Sequence, residues 1–179
     1  MLTKMQTKTL FMFPLFFILG FLITRCASTT KAPPVNTIKI APISNLTREE
    51  AQVRKQLISN PRYVLKFNFD AKSESYIATA DIYFKMNTKS STFLDFKGGE
   101  IVSLLINDKV TTPNYQNSRI QLASDSLQEG DNHIVINYKQ TFSKNGRGIY
   151  RFQDPEDSKV YIWTKLEPFD ANQVFPCFD

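Results

Sequence analysis

Histidine is nearly missing from this sequence of 179 residues: His133 is the only one. A catalytic zinc site of the H-E-x-x-H type takes two histidines from one helix, so this sequence cannot supply one. No cluster of Cys, His and carboxylate residues stands in for it. Cysteine is almost as scarce. Cys26 and Cys177 sit at opposite ends in unrelated contexts, which gives no support to a disulfide framework. Runs rich in Lys and Arg are lacking as well, and with them the electrostatic footprint of a nucleic-acid binder. The formal charge of +5 overstates the basicity of the folded part. Lys4, Lys8 and Arg25 lie in or beside an apolar leader, and without those three the 22 basic residues fall to 19, against 17 acidic ones.

Long apolar runs are confined to one place. Leu10 to Ile23 is an apolar stretch of 14 residues interrupted by Pro14, preceded by Lys4 and Lys8 and followed by small residues. That layout is a secretory signal peptide, because a membrane-spanning helix needs about 20 apolar residues. Residues 1–25 are therefore read as a leader, and the protein as exported. The exit, Leu22-Ile23-Thr24-Arg25-Cys26, resembles a bacterial lipobox, in which the cysteine becomes the acyl carrier. Arg25 departs from the small residue which that pattern wants. A membrane-anchored lipoprotein lipidated at Cys26 and a soluble periplasmic or uncleaved form both stay open. Residues 26–44, with Pro33, Pro34 and Pro42, read as an extended linker.

What remains, residues 45–179, is long enough for one domain with its own core. Thr47-Arg48-Glu49-Glu50 is a capping box. Val53, Leu57 and Ile58 then share one helical face, so a short helix is expected over about 47–58, stopped by Asn60-Pro61. Beyond it the period changes to two. Tyr63, Leu65, Phe67 and Phe69 alternate with Val64, Lys66 and Asn68, and Ser75 to Met86 repeats the pattern with Tyr76, Ala78, Ala80, Ile82 and Phe84 on one side. Further strands are expected at 91–96, 101–106, 119–122, 132–139, 149–152 and 159–165. Turn signals such as Lys97-Gly98-Gly99, Asn107-Asp108, Asn145-Gly146 and Asp154-Pro155 lie between them. Many short strands and no further helix predict an all-β fold, an antiparallel sandwich. The 15 phenylalanines are read as core and strand filler, and His133 as a strand residue beside a turn.

The C-terminal stretch carries more. Gly148-Ile149-Tyr150-Arg151, Asp154-Pro155 and then Thr164-Lys165-Leu166-Glu167-Pro168-Phe169-Asp170-Ala171, followed by Phe175-Pro176-Cys177-Phe178-Asp179, closely resembles the aminopeptidase N family of zinc gluzincins. Asn45 to Ala51 and Asn60-Pro61-Arg62-Tyr63 resemble its bacterial members. The resemblance covers about residues 45–179 and implies a saddle-like N-terminal β-domain that sits on a catalytic domain. The zinc would belong to that catalytic domain, and G-x-M-E-N and H-E-x-x-H are absent here. By the same resemblance Glu167 helps bind the free α-amine of a peptide substrate, and Lys165 stands where many relatives carry a pocket-lining Gln. A carboxylate suits that task because a charge-assisted hydrogen bond orients an ammonium firmly. Cys177 is expected to be a small buried residue at a domain junction.

The resemblance thus implies a substrate-pocket domain, inactive without a catalytic domain in cis or in trans, and binding no cofactor itself. A stand-alone exported binding domain is the alternative. Against it stands the expectation that Phe175-Pro176-Cys177-Phe178 needs covering by a neighbour.

Overall fold

The computed structural model describes residues 45–178. The leader, the linker and Cys26 lie outside the described residues. Helix α1 runs Arg48–Leu57, capped by Thr47, whose hydroxyl accepts from the Glu50 amide while the Glu50 carboxylate accepts from the Thr47 amide. The capping box therefore works as the sequence predicts.

Two expectations here hold only in part or fail. Of the face expected to pack, Leu57 and Ile58 meet the core, but Val53 is 40% exposed and the helix buries Glu50 and Arg54 instead. Asn60-Pro61 also does not act as the stop. The helix ends at Leu57, and strand β1 (Ile58–Asn68) starts at once, passing Asn60-Pro61 as an irregularity in the pairing with Asn60 at φ 52°. Asn tolerates that left-handed conformation better than most residues, and Pro lacks only a ladder donor on an edge strand.

The other strands are β2 (Ser75–Met86), β3 (Thr92–Asp95), β4 (Glu100–Ile106), β5 (Lys109–Val110), β6 (Asn114–Gln116), β7 (Arg119–Leu122), β8 (Gly130–Thr141), β9 (Gly148–Gln153) and β10 (Val160–Lys165). All named strand pairs are antiparallel. One sheet has the order β1-β2-β8-β4-β5, a second β3-β7-β6, and β9 and β10 form a two-stranded ribbon. The all-β sandwich is as expected. Strands β5 and β6 were not anticipated, because two or three residues are too few to show a period.

The alternation in β2 does what it promised. Tyr76, Ala78, Ala80, Ile82, Phe84 and Met86 are buried, as are Ile134, Ile136 and Tyr138 of β8 facing the same way. Leu94, Ile120 and Leu122 of the three-stranded sheet close the core from the other side. Burying side chains of this size stabilises the fold by about 1.5–3 kcal/mol each.

Helix α1 is joined to the three-stranded sheet by charge. Arg119 on β7 donates to Glu50 on α1 at 2.7 and 2.8 Å, and Arg54 donates to Asp95 on β3 at 2.8 Å. Both guanidinium groups lie over the ring of Phe93, at 4.1 and 4.3 Å from its centroid. This cluster explains why α1 packs through its charged face: Glu50 both caps the helix and receives Arg119.

Candidate substrate-facing turn

Strand β10 leads into the turn that carries Glu167. In the β9–β10 ribbon Trp163 is opposite Tyr150, and Lys165 opposite Gly148. Alternation puts Tyr161, Trp163 and Lys165 on one face of the ribbon. Tyr150 and Trp163 are in ring contact at 4.4 Å on that face. Ile162, on the other face, packs against the core. Leu166 follows the strand, and the Glu167–Pro168 peptide is cis.

The far side of the turn is anchored firmly. Asp170 is buried, and its amide donates to the Leu166 carbonyl at 2.8 Å. Its carboxylate accepts from Arg147 Nε at 2.6 Å and from the Gln173 side chain. A short 3-10 turn, Ala171–Gln173, comes next. The Val174 carbonyl then accepts from two core phenols, Tyr138 at 2.9 Å and Tyr76 at 3.3 Å. Gln140 donates to the Gln173 carbonyl at 3.1 Å. Burial pushes the phenol of Tyr138 well above its ordinary range, and that of Tyr76 likewise, so both remain hydrogen-bond donors.

Glu167 and Lys165 themselves are exposed. Among the described residues neither makes an ion pair with the other or with any neighbour. The turn is therefore held from behind while its two charged side chains stand in front without partners. That is what a charge-reading surface requires: fixed backbone, uncommitted side chains.

The turn is not a closed pocket. A cleft of about 380 Å³ lies between Thr111, Asn114, Gln121 and Ser126, and another of about 440 Å³ between Lys97, Gln140, Lys144 and Arg147. Neither is lined by Glu167 or Lys165.

The remaining candidates fall into place. His133 lies on β8, stacked on Tyr83 at 4.2 Å, with Nε2 3.4 Å from an Asp81 oxygen. It is a strand residue, as expected. Cys177 is buried, and its backbone exchanges hydrogen bonds of 2.8 and 3.0 Å with Asp95, adding a short bridge beside β3. Of the stretch expected to need a neighbour's cover, Pro176 and Cys177 are buried, while Phe175 and Phe178 stay partly exposed. Phe175 and Phe178 pack against this domain's own core, and the Phe178 amide donates to the Tyr63 hydroxyl at 2.9 Å. Among the described residues no group of three or more His, Cys, Asp and Glu side chains could hold a metal ion. A zinc ion does not fit this chain's described residues.

Comparison with known proteins agrees with the C-terminal motif. Residues 54–179 match the family described as the peptidase M1 N-terminal domain. The chain belongs to that family. It is also 29% identical over 143 residues to the aminopeptidase N of Streptomyces lividans. That match takes in 77% of this chain and 16% of the relative. The chain thus spans about a sixth of the length of that curated relative. The peptidase M1 N-terminal domain here includes α1 from Arg54 onward, all ten strands and the Glu167 turn. Sequence reasoning missed the supports behind that turn. Tyr76, Tyr138 and Gln140 lie on strands far away in sequence, and nothing in their local pattern announces hydrogen bonds to residues 173 and 174.

Proposed function

We propose that this chain is the substrate-facing N-terminal domain of a zinc-dependent aminopeptidase, an enzyme that removes N-terminal residues from peptides. The observation that carries the reading is Glu167: an exposed, unpaired carboxylate on a turn whose other side is anchored to the core. Its role is to accept from the free α-ammonium of the peptide, so that only an N-terminus is seated there. Lys165 is the second substrate-binding group of the turn. Zinc and its ligands belong to a catalytic domain, joined in cis or supplied in trans. Zinc held by that domain would supply Lewis-acid polarisation of the scissile carbonyl. The chain's own residues hold and orient the amine, and by themselves hydrolyse nothing. The chain binds no nucleic acid. Export follows from the leader, with anchoring by a lipid on Cys26 or release into the periplasm.

The test is a titration of the purified chain with a tripeptide amide, followed by NMR of the amides around residue 167. Perturbations that saturate with the free-amine peptide, and vanish on N-acetylation or in E167Q, support the reading. Equal responses to the acetylated peptide would sink it.

A second reading is favoured by one observation. Phe175 and Phe178 pack on the domain's own core, and Cys177 is buried there. A motif packed largely on its own domain suits a stand-alone exported binding module as well. In that module Glu167 still receives an amine, but no hydrolysis follows.

A further inference from the structure

We infer that Lys165 makes this turn select peptides whose first residue is acidic, aspartyl or glutamyl, over those with a neutral or basic first residue. The inference rests on the reading of Glu167 as the amine-binding group. Lys165 is the last residue of β10 and stands two positions before Glu167. Two residues of extended chain span at most about 7 Å, so the Cα atoms of Lys165 and Glu167 lie close enough for one amino-acid residue to address both side chains. An N-terminal aspartate or glutamate carries the opposite pair on one residue: an ammonium on the backbone and a carboxylate on the side chain. With the ammonium on Glu167, the side-chain carboxylate is brought to the lysine.

The surroundings leave Lys165 available for this. Opposite it in the register is Gly148, which offers no side chain to pair with. The next carboxylate along the chain after Glu167 is Asp170, which is already committed to Arg147 and Gln173. Lys165 makes no ion pair with any described residue. A lysine ammonium is a compact, strongly hydrated charge on a flexible stem, suited to following a short carboxylate of either length. The same charge repels a lysyl or arginyl side chain placed beside it. A neutral residue gains nothing from it.

The ribbon supplies its own reporter. Trp163 is the only tryptophan of the chain, lies two residues before Lys165 on the same face, and is 44% exposed. Binding beside Lys165 should therefore change its emission.

The experiment titrates the full chain with Asp-Ala-Ala, Ala-Ala-Ala and Lys-Ala-Ala amides at pH 7, with N-acetyl-Asp-Ala-Ala amide as the control. Trp163 fluorescence gives the dissociation constants. For charges this exposed, the aspartyl peptide should bind about fivefold tighter than the alanyl one, with the lysyl peptide weakest. K165Q should remove the ranking while keeping the dependence on a free amine. E167Q should weaken all three. Raising the ionic strength to about 0.5 M should compress the ranking, because exposed charges are screened. Equal affinity of the three free-amine peptides, with none for the acetylated one, overturns the role of Lys165 and leaves Glu167 standing. A ranking that survives in K165Q also overturns it. Binding of the acetylated peptide as tight as the free one, or no saturable response to any peptide, overturns both. Lys165 is on the surface, so K165Q should fold normally, which circular dichroism checks.

Discussion

Replacing Arg119 by Met should be the most damaging single change to this domain short of emptying its core. The Arg119 side chain is 3% exposed and holds Glu50 through two hydrogen bonds, while its Nε lies 3.6 Å from Asp95. Methionine has similar length but no charge, so packing over Phe93 is largely kept. What is lost is the cation, and the Glu50 side chain, 9% exposed, is left buried without it. Breaking one partner out of a buried ion pair costs about 3–5 kcal/mol, much of it the uncompensated charge. For a domain of this size that corresponds to a fall in Tm on the order of 10–20 °C.

Urea unfolding followed by circular dichroism measures the loss, and an unchanged m-value shows that the folded and unfolded states are otherwise comparable. The pH dependence gives a second reading. The hydrogen bond from Arg119, ahead of the burial that opposes it, holds the Glu50 carboxyl below its ordinary 4.5. A depressed folded pKa contributes stability that is present above the unfolded value and is lost as pH falls through the lowered folded one. In R119M the buried carboxylate has lost its main cation, so protonating it brings relief. The gap between wild type and R119M should therefore narrow as the pH is lowered from 7 to about 3. A loss under about 1 kcal/mol, or a gap that widens in acid, would refute the claim that this cluster clamps helix to sheet.

Three further outcomes follow from the geometry. Tyr138→Phe should cost only about 0.5–1.5 kcal/mol by urea melting, because the Tyr76 hydroxyl still reaches the Val174 carbonyl; Y76F/Y138F together should cost more than the sum of the two. Gly99→Ala should destabilise by about 1–3 kcal/mol in the same assay, since a Cβ there runs into the ring of buried Phe96. The purified chain with added zinc should release no chromophore from aminoacyl anilides; metal-dependent turnover would contradict a role confined to holding the amine.

How much of this could be read in advance depended on the range of each interaction. Period-two alternation gave β2 to the residue, because one face of Tyr76 to Met86 is buried throughout. The capping box gave the start of α1, since Thr47 and Glu50 act within one turn. The buried face of that helix was not legible. Glu50 and Arg54 are polar by any hydropathy rule, and they go inside only because Arg119 and Asp95 come from strands 69 and 41 residues away. Asn60-Pro61 misled for a related reason: its helix-breaking chemistry is real, but the edge position of β1 tolerates it as an irregularity. In the candidate site, the motif identified Glu167 and Lys165 by residue type alone. That they stand unpaired on a turn braced by Asp170, Tyr76 and Tyr138 is a fact of tertiary structure.

The measurement that bears most directly on the central claim is to sequence the gene and its transcript past the codon for Asp179. The reading as a substrate-facing domain of a zinc aminopeptidase predicts either an open frame that continues into G-x-M-E-N and H-E-x-x-H, or a separate neighbouring gene that encodes them. A stop codon after Asp179, with no such sequence encoded nearby, would contradict it and leave a binding module whose Glu167 serves no peptidase.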